Sequence, residues 1–392
     1  MIPSYFEFYN PVKVLAGKNA LENLPFELLQ LQAEKPLVIT DQGILKAGLL
    51  KYIEGAFSDT NITFSLFDRV PQDSSDNTVK ELAEIYRKTK SDSLIALGGG
   101  SVIDTAKAVN ILVTYESDNL FDFVGSDIIS SSLKPLVIIP TTSGTGSEAT
   151  GVAVIKNSKN VKMGFKSQHL IPDVALLDPR MTSTLPPLMT AATGMDALTH
   201  AIESSYCLQR NPVTAAFASS AIKMISESLV HVINNPKDTD SRFTLSTAAF
   251  LAGVGLSNSI AGMIHALGHA TGGISGVPHG IAMNIFLPYG MKYNLAKAGD
   301  IIGELLLPLA GSEYFSQISK VERPLATIKY IENLRNTLNE ITSLPRTLKE
   351  ANVSPNNFEI IAEHAINDGS IAFNPEEVDY EDALQILNDA YN

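Results

Sequence analysis

Apolar and polar positions follow two different rhythms along this chain. In the first half, short apolar runs recur at Pro36–Thr40 (PLVIT), Ile62–Phe67 (ITFSLF), Ser93–Leu97 (SLIAL) and Pro135–Ile139 (PLVII). They are brief, rich in β-branched residues and free of charge, as strands buried on both faces require. Between them, Asn77–Lys90 (NTVKELAEIYRKTK) and Val102–Val113 (VIDTAKAVNILV) carry helical patterns. Strand and helix in alternation predict a doubly wound α/β domain. Gly151–Lys156 and Val161–Phe165, with NSKN between them, predict a hairpin beside that sheet. The rhythm changes at DPRMTSTLPP, which holds turn formers and two prolines suited to a helix start. Beyond it the pattern is helical over Pro187–Leu208, Pro212–Asn234, Ser241–Gly255, Ala261–Thr271, Gly280–Leu295, Leu325–Ile341 and Asp379–Ala390. The expected division is an α/β domain over residues 1–185 and an all-α domain over residues 186–392.

Composition narrows the classes. A chain of 392 residues with 45% apolar and 18% charged positions is ordinary globular protein, long enough for two cores. Its net charge of −13 argues against a nucleic-acid partner, which calls for basic patches. The single cysteine, Cys207, excludes an intrachain disulfide and a cysteine-ligated zinc or iron–sulfur site. The opening MIPSYFEFYNPVKV lacks a basic segment followed by an apolar one. No apolar run reaches transmembrane length. The expectation is a soluble cytoplasmic protein with no membrane or nucleic-acid partner.

Two glycine-rich turns follow predicted strands. In SLIALGGGSVIDTAKAVN, Gly98, Gly99 and Gly100 let the backbone approach a ligand, and Ser101 is placed to cap a helix starting at about Val102. A helix start there favours a pyrophosphate. In PLVIIPTTSGTGSE, Thr141, Thr142 and Thr145 offer hydroxyls to phosphate or ribose. Neither turn is G-x-G-x-x-G or a P-loop, and either alone reads equally well as a plain strand–helix corner. Together they favour a dinucleotide site at the carboxyl edge of the sheet. Asp41 ends the first strand (PLVITD). A carboxylate there accepts from ribose hydroxyls and repels a 2′-phosphate, favouring NAD over NADP; its plainer role is a helix N-cap.

Four of the seven histidines form one pattern, opened by a carboxylate. Asp196 and His200 lie four apart in GMDALTHAIES, His265 and His269 four apart in GMIHALGHATGG, and His279 follows in GVPHG. Residues four apart share a helix face. Neutral imidazoles with one carboxylate suit a divalent first-row metal such as iron or zinc. No Asp, Glu, Lys or Arg occurs from Phe250 to Gly280, so histidines buried there need partners. Spacing favours His265 and His269 as co-ligands, with other sets of four open.

With these motifs in order, the chain resembles the iron-dependent (group III) alcohol dehydrogenase family. The likeness runs through FYNPVKVLAG, ITD, GGGSVIDTAK, PTTSGTGSEAT, PDVALLDPRMTSTLP, ATGMDALTHAIES, GVGLSNSIAGMIHALGH and GVPHGIAMNIFLP. It implies a Rossmann-like N-terminal domain before a helical one, a dehydroquinate synthase-like architecture with the active site between them. It implies Asp196, His200, His265 and His279 as metal ligands, and moves His269 out of the shell to relay a proton. The cofactor contacts it implies fall on Asp41, Gly99, Gly100, Ser101, Asp104, Thr141, Thr142, Thr145 and Lys162. Where the family often has Asn-Pro, this chain has Gln72-Asp73, and Gln72 partly replaces that contact. Ala270 stands in place of a usual proline, and Glu376 after Asn374-Pro375 in place of arginine. The implied activity is hydride transfer between NAD and a small uncharged alcohol or aldehyde, with Fe(II), or alternatively Zn(II), as Lewis acid. The alternatives are a zinc polyol dehydrogenase of the glycerol dehydrogenase type and a dehydroquinate-synthase-like lyase. A homodimer or larger assembly is expected, with the edge strand at Pro11–Leu15 as one place for subunits to pair.

Overall fold

The structure, a computed structural model, describes residues 3–157 and 162–392. It divides into two compact units: Tyr9–Leu185, and Pro186–Asn392 together with the N-terminal segment ending at Phe8. The boundary near 185 matches the change of rhythm. The first residues differ from expectation, because they pack with the helical unit, where Phe8 stacks on Phe217 with ring centroids 5.6 Å apart.

In the first unit the strands are β1 (Lys13–Ala16), β2 (Pro36–Ile39), β3 (Ser65–Phe67), β4 (Ser93–Gly98), β5 (Gly125–Ser126), β6 (Leu136–Pro140), β7 (Val152–Lys156), β8 (Lys162–Lys166) and β9 (Val174–Leu177). Six of them form one parallel sheet in the order β1-β9-β6-β4-β2-β3. Strand side chains alternate between faces. Leu37, Ile39, Leu94 and Ala96 join a core with Val79, Leu82, Val102 and Val109. Val38, Ile95 and Leu97 join a second core with Leu21, Leu24, Leu28 and Ile53. Both faces are therefore covered by helices, which is why the central strands read as unbroken apolar runs. The chain leaves β2 for β3 on one side, then returns to β4 on the other. That reversal makes a topological switch point at the carboxyl ends of β2 and β4.

A smaller sheet, β5-β8-β7, holds the expected hairpin: β7 and β8 pair antiparallel, with Ala153 opposite Phe165. The turn expected between these strands, residues 158–161, lies outside the described residues. β9 was not anticipated. VALL is short and lies close behind the hairpin, yet it seats between β1 and β6.

The second unit is helical. Its central helix, Pro187–Tyr206, is buried without a break from Gly194 to Tyr206. It packs against the helices Pro212–Asn234, Thr239–Ser259 and His279–Tyr293. Pro212–Asn234 is long and apolar enough to cross a membrane by length and composition, an exception to the expectation that no run is. Its Ile222, Ile225, Leu229 and Val232 belong to the common core of the unit, which accounts for its apolar character.

Candidate metal centre and cofactor loops

Three helices of the second unit converge on one point. The Pro187–Tyr206 helix brings Asp196 and His200, Met263–Ser275 brings His265, and His279–Tyr293 begins with His279. One ligand atom from each of these four residues lies within 4.8 Å of the other three. His279 Nε2 is 3.3 Å and His200 Nε2 3.5 Å from Asp196 Oδ1. The rings of His200 and His265 stack with centroids 4.8 Å apart. Asp196 Oδ1, His200 Nδ1 and His265 Nε2 are buried with no hydrogen-bond partner among the described residues. Buried polar atoms without partners are costly, so Asp196 Oδ1 and His265 Nε2, orphaned in one cluster of nitrogen and carboxylate donors that His200 Nε2 also faces, fit a bound cation. Iron or zinc suits that donor set.

Electrostatics prepare the same outcome. Burial lowers the His200 imidazole to about 4. Burial, with His279 and His269 nearby, holds His265 well below its ordinary value. Both rings are therefore neutral at physiological pH, with lone pairs available to ligate. Burial alone would raise Asp196, but His200 and His279 beside it keep its carboxyl below the usual carboxylate range. The site thus gathers one carboxylate and two imidazoles, His200 and His265, that burial keeps neutral.

The close approach of the helices has a specific cause. A Cβ on Gly280 would lie 2.4 Å from the Ala192 carbonyl oxygen. Glycine after His279 lets that helix start against the backbone of the Asp196 helix.

Residues that the sequence reading missed support the candidate ligands. Glu203 is fully buried. Its Oε2 accepts from His265 Nδ1, and its Oε1 accepts from the Ile264 N–H at 3.0 Å. Its signal was available: Asp196, His200 and Glu203 follow at intervals of four and three on one helix face. Asn374 Oδ1 accepts from the Met263 N–H at 3.2 Å and exchanges hydrogen bonds with Asn294. The His265 helix has no side-chain cap of its own at Gly262. Two remote side chains satisfy its first N–H groups instead. His269 lies outside the cluster of four, and its Nδ1 pairs with Asp368 Oδ2 at 2.9 Å. Burial would raise the Asp368 carboxyl, but the bond from His269 holds it below the usual range.

In the α/β unit the cofactor candidates collect at the carboxyl ends of parallel strands. Asp41 follows β2 and caps the next helix, its Oδ1 accepting from Gly43 N at 2.7 Å and Ile44 N at 3.0 Å. The plainer reading of Asp41 therefore holds, with both bonds on one oxygen. The helix after β4 starts at Gly100, with Gly99 as an N-cap that lends no side chain. Ser101 is not its cap, because the helix begins one residue earlier; its hydroxyl accepts from Asp73 N at 3.2 Å. Thr141 N donates to the Gly98 carbonyl at 3.0 Å, tying the two glycine-rich loops together. A Cβ on Gly100 would lie 2.9 Å from Thr145 Cγ2. Small residues here serve the contact between the loops, as the plain strand–helix corner also considered for these turns requires. The uncapped start of a helix of 15 residues leaves N–H groups for an anion, as a pyrophosphate requires.

The Lys of GGGSVIDTAK works inside the fold. Lys107 is buried, and its ammonium donates to the carbonyls of Ser147, Thr150 and Val152 at 2.8, 2.6 and 2.9 Å. It pins the threonine loop to the Gly100 helix. Burial lowers it to about 8, while Asp104 and Glu148 beside it favour its charge. Asp104 sits in this buried group, accepting from Val154 N at 3.0 Å, with its carboxyl raised by burial to about 6. Lys162, on β8, also acts on Asp104 electrostatically. Gln72 is exposed in the loop after β3.

A doubly wound α/β unit and, in the same chain, a helical unit with a His3Asp cluster define a metalloprotein with a nucleotide-type domain. Comparison with known proteins makes this specific. Residues 11–179 match the family model for iron-containing alcohol dehydrogenase, and residues 190–391 match that of the Fe-containing alcohol dehydrogenase family, C-terminal. The chain belongs to the iron-containing alcohol dehydrogenase family. It is 34% identical to alcohol dehydrogenase 4 of Saccharomyces cerevisiae over 98% of both chains. It is 31% identical to the NAD-dependent methanol dehydrogenase of Bacillus methanolicus, over 98% of this chain and 99% of that one. The solved alcohol dehydrogenase from Oenococcus oeni superposes with a TM-score of 0.93 at 30% identity, covering 99% of this chain and 100% of that one.

Proposed function

We propose that this protein is a metal-dependent, NAD-linked alcohol dehydrogenase or aldehyde reductase for a small uncharged substrate. The carrying observation is the convergence of buried Asp196, His200 and His265 with half-buried His279, where Asp196 Oδ1 and His265 Nε2 lack partners among the described residues. Bound iron supplies Lewis-acid polarisation of an alcohol or carbonyl oxygen, and NAD takes up or gives the hydride. The four residues hold the metal, and Glu203 keeps the His265 tautomer that turns Nε2 toward it. His269, steadied at Nδ1 by Asp368, takes or returns the alcohol proton through its other nitrogen. Asp41 accepts from the ribose through Oδ2 and disfavours a 2′-phosphate, so NAD is preferred to NADP. Gly98, Gly99, Gly100 and Ser101 approach the pyrophosphate. Thr141, Thr142, Thr145, Lys162 and Gln72 complete the cofactor contacts. Asp104 supports the loop through Val154.

The uncharged stretch around His265 supports a neutral substrate such as a short alcohol. The same donor set accepts Zn(II), which would place the protein nearer the polyol dehydrogenases. A homodimer or larger assembly is proposed through β1, the terminal strand of its sheet, whose one partner is β9. A cytoplasmic location is proposed because the reaction draws on the cell's NAD pool. The test is His265→Ala, which should lose bound metal and turnover together. Full activity with normal metal content in that variant contradicts the proposal.

A further inference from the structure

The helical unit also carries a pocket of about 480 Å³, lined by residues of the Arg323–Thr342 helix and of the segment from Arg346 to Glu350, with Tyr289 and Asn392. None of its lining residues belongs to the metal centre. Its charged walls are Lys329, Arg335, Arg346 and Lys349 against Glu332 and Glu350. Both carboxylates are already engaged. Glu350 accepts from Arg346 at 3.3 Å, and Glu332 accepts from Lys292 outside the pocket at 3.1 Å. Lys329, 3.7 Å from the other Glu332 oxygen, and Arg346 are thus paired with these carboxylates, which leaves Arg335 and Lys349 as the lining cations in excess, in a chain whose net charge is −13.

The arginines carry the further observation. Arg335 is only 6% exposed, and its Nη2 donates to the Arg346 carbonyl. Its Nε meets no acceptor among the described residues, and neither does the Nε of Arg346. Arg346 is otherwise held by Asn336 Oδ1 at 2.9 Å and by Glu350. Two buried guanidinium N–H donors thus stand unsatisfied in one pocket. Burying such donors without acceptors costs stability, and burial lowers the Arg335 guanidinium to about 10. A guanidinium presents its donors in a planar fork that matches phosphate oxygens. Exposed Lys349 adds charge, and Lys329, also exposed, adds what its pairing with Glu332 leaves. The volume falls within the range of small-molecule sites.

We infer that this pocket is a second ligand site, distinct from the metal centre, for a small molecule bearing a phosphate group. Arg335 and Arg346 form its floor, and the two lysines gather the anion. Inorganic phosphate is the first probe, titrated calorimetrically into the metal-loaded protein in a zwitterionic buffer, with chloride at equal ionic strength as control. Saturable binding of one phosphate per chain is expected, weakened at least ten-fold in Arg346→Gln and several-fold in Lys349→Gln. Both altered side chains are at least partly exposed, so the fold should survive, which circular dichroism and an unchanged NAD-linked rate would verify. A phosphomonoester binding more tightly than inorganic phosphate would extend the site to a phosphorylated metabolite. Absence of saturable phosphate binding, or equal binding in the wild type and Arg346→Gln, overturns the inference.

Discussion

Glu203→Gln tests how the metal centre is held together. The glutamate uses two oxygens for two donors: Oε2 for His265 Nδ1 and Oε1 for the Ile264 N–H. Glutamine offers one oxygen and one NH2 group. If the oxygen stays on Ile264, the NH2 group faces His265 Nδ1, and the imidazole must turn its lone pair there. Its proton then moves to Nε2, the atom that lacks a partner in the cluster. If the oxygen moves to His265, Ile264 N–H is stranded, at a cost of about 1–3 kcal/mol. In both cases a carboxyl group that burial raises to about 7, and that accepts from the imidazole when ionised, is replaced by a neutral amide. Changes of this kind usually cost about 10–100-fold in metal affinity, or roughly 1.4–2.7 kcal/mol. The assay is competition for Fe(II) or Zn(II) against a chromophoric chelator under anaerobic conditions, paired with thermal melting of the metal-free variant. Affinity should fall at least ten-fold, with a far smaller change in the metal-free fold than in Glu203→Ala. Metal affinity within two-fold of wild type would refute the reasoning.

Other consequences follow from the same structure. Gly280→Ala places a methyl group against the Ala192 carbonyl, so it should cost about 1–3 kcal/mol of stability and weaken metal binding by displacing His279; melting and chelator competition read both. Gly100→Val pushes on Thr145 at the helix start, so the NAD dissociation constant should rise ten-fold or more while metal content stays unchanged; fluorescence titration with NADH decides. Burial raises Glu148 to about 7, above its unfolded value near ~4.3. The folded chain therefore binds the extra proton between those values, and this contribution, roughly 4 kcal/mol at most, is lost progressively as pH rises from ~4.3 through 7. Urea unfolding at pH 5, 6 and 7 should accordingly show Glu148→Gln losing less stability, or gaining more, with pH than wild type; parallel profiles would contradict this.

The central strands and long helices were legible because burial on both faces, or a long helical period, leaves a strong pattern. PLVI and SLIALG could hardly be anything but interior strands. β9 was harder, since four apolar residues beside a hairpin do not announce a partner two strands away. The candidate ligands His265 and His279 stood out because they lie in a stretch without charged residues. Spacing alone mispaired them: His265 and His269 share a helix, but a bond to Asp368 holds His269 outside the cluster. Asp368 comes from a segment far along the chain, with no local signal. Glu203 did leave one, three residues after His200, that reads as an ordinary helical carboxylate until its burial is known. The glycines of GGGSV were legible as necessary, while their neighbours across the turn, Thr142 and Thr145, became visible only in three dimensions.

The most direct measurement is reconstitution of metal-stripped protein with Fe(II), Zn(II), Mn(II) or Ni(II) without oxygen, each form assayed for NADH oxidation by a panel of short aldehydes. Activity that returns with Fe(II), scales with one metal per chain and vanishes in His265→Ala is the predicted result. Full turnover by the metal-free protein, or stoichiometric metal binding with no turnover of any alcohol or aldehyde, would contradict it.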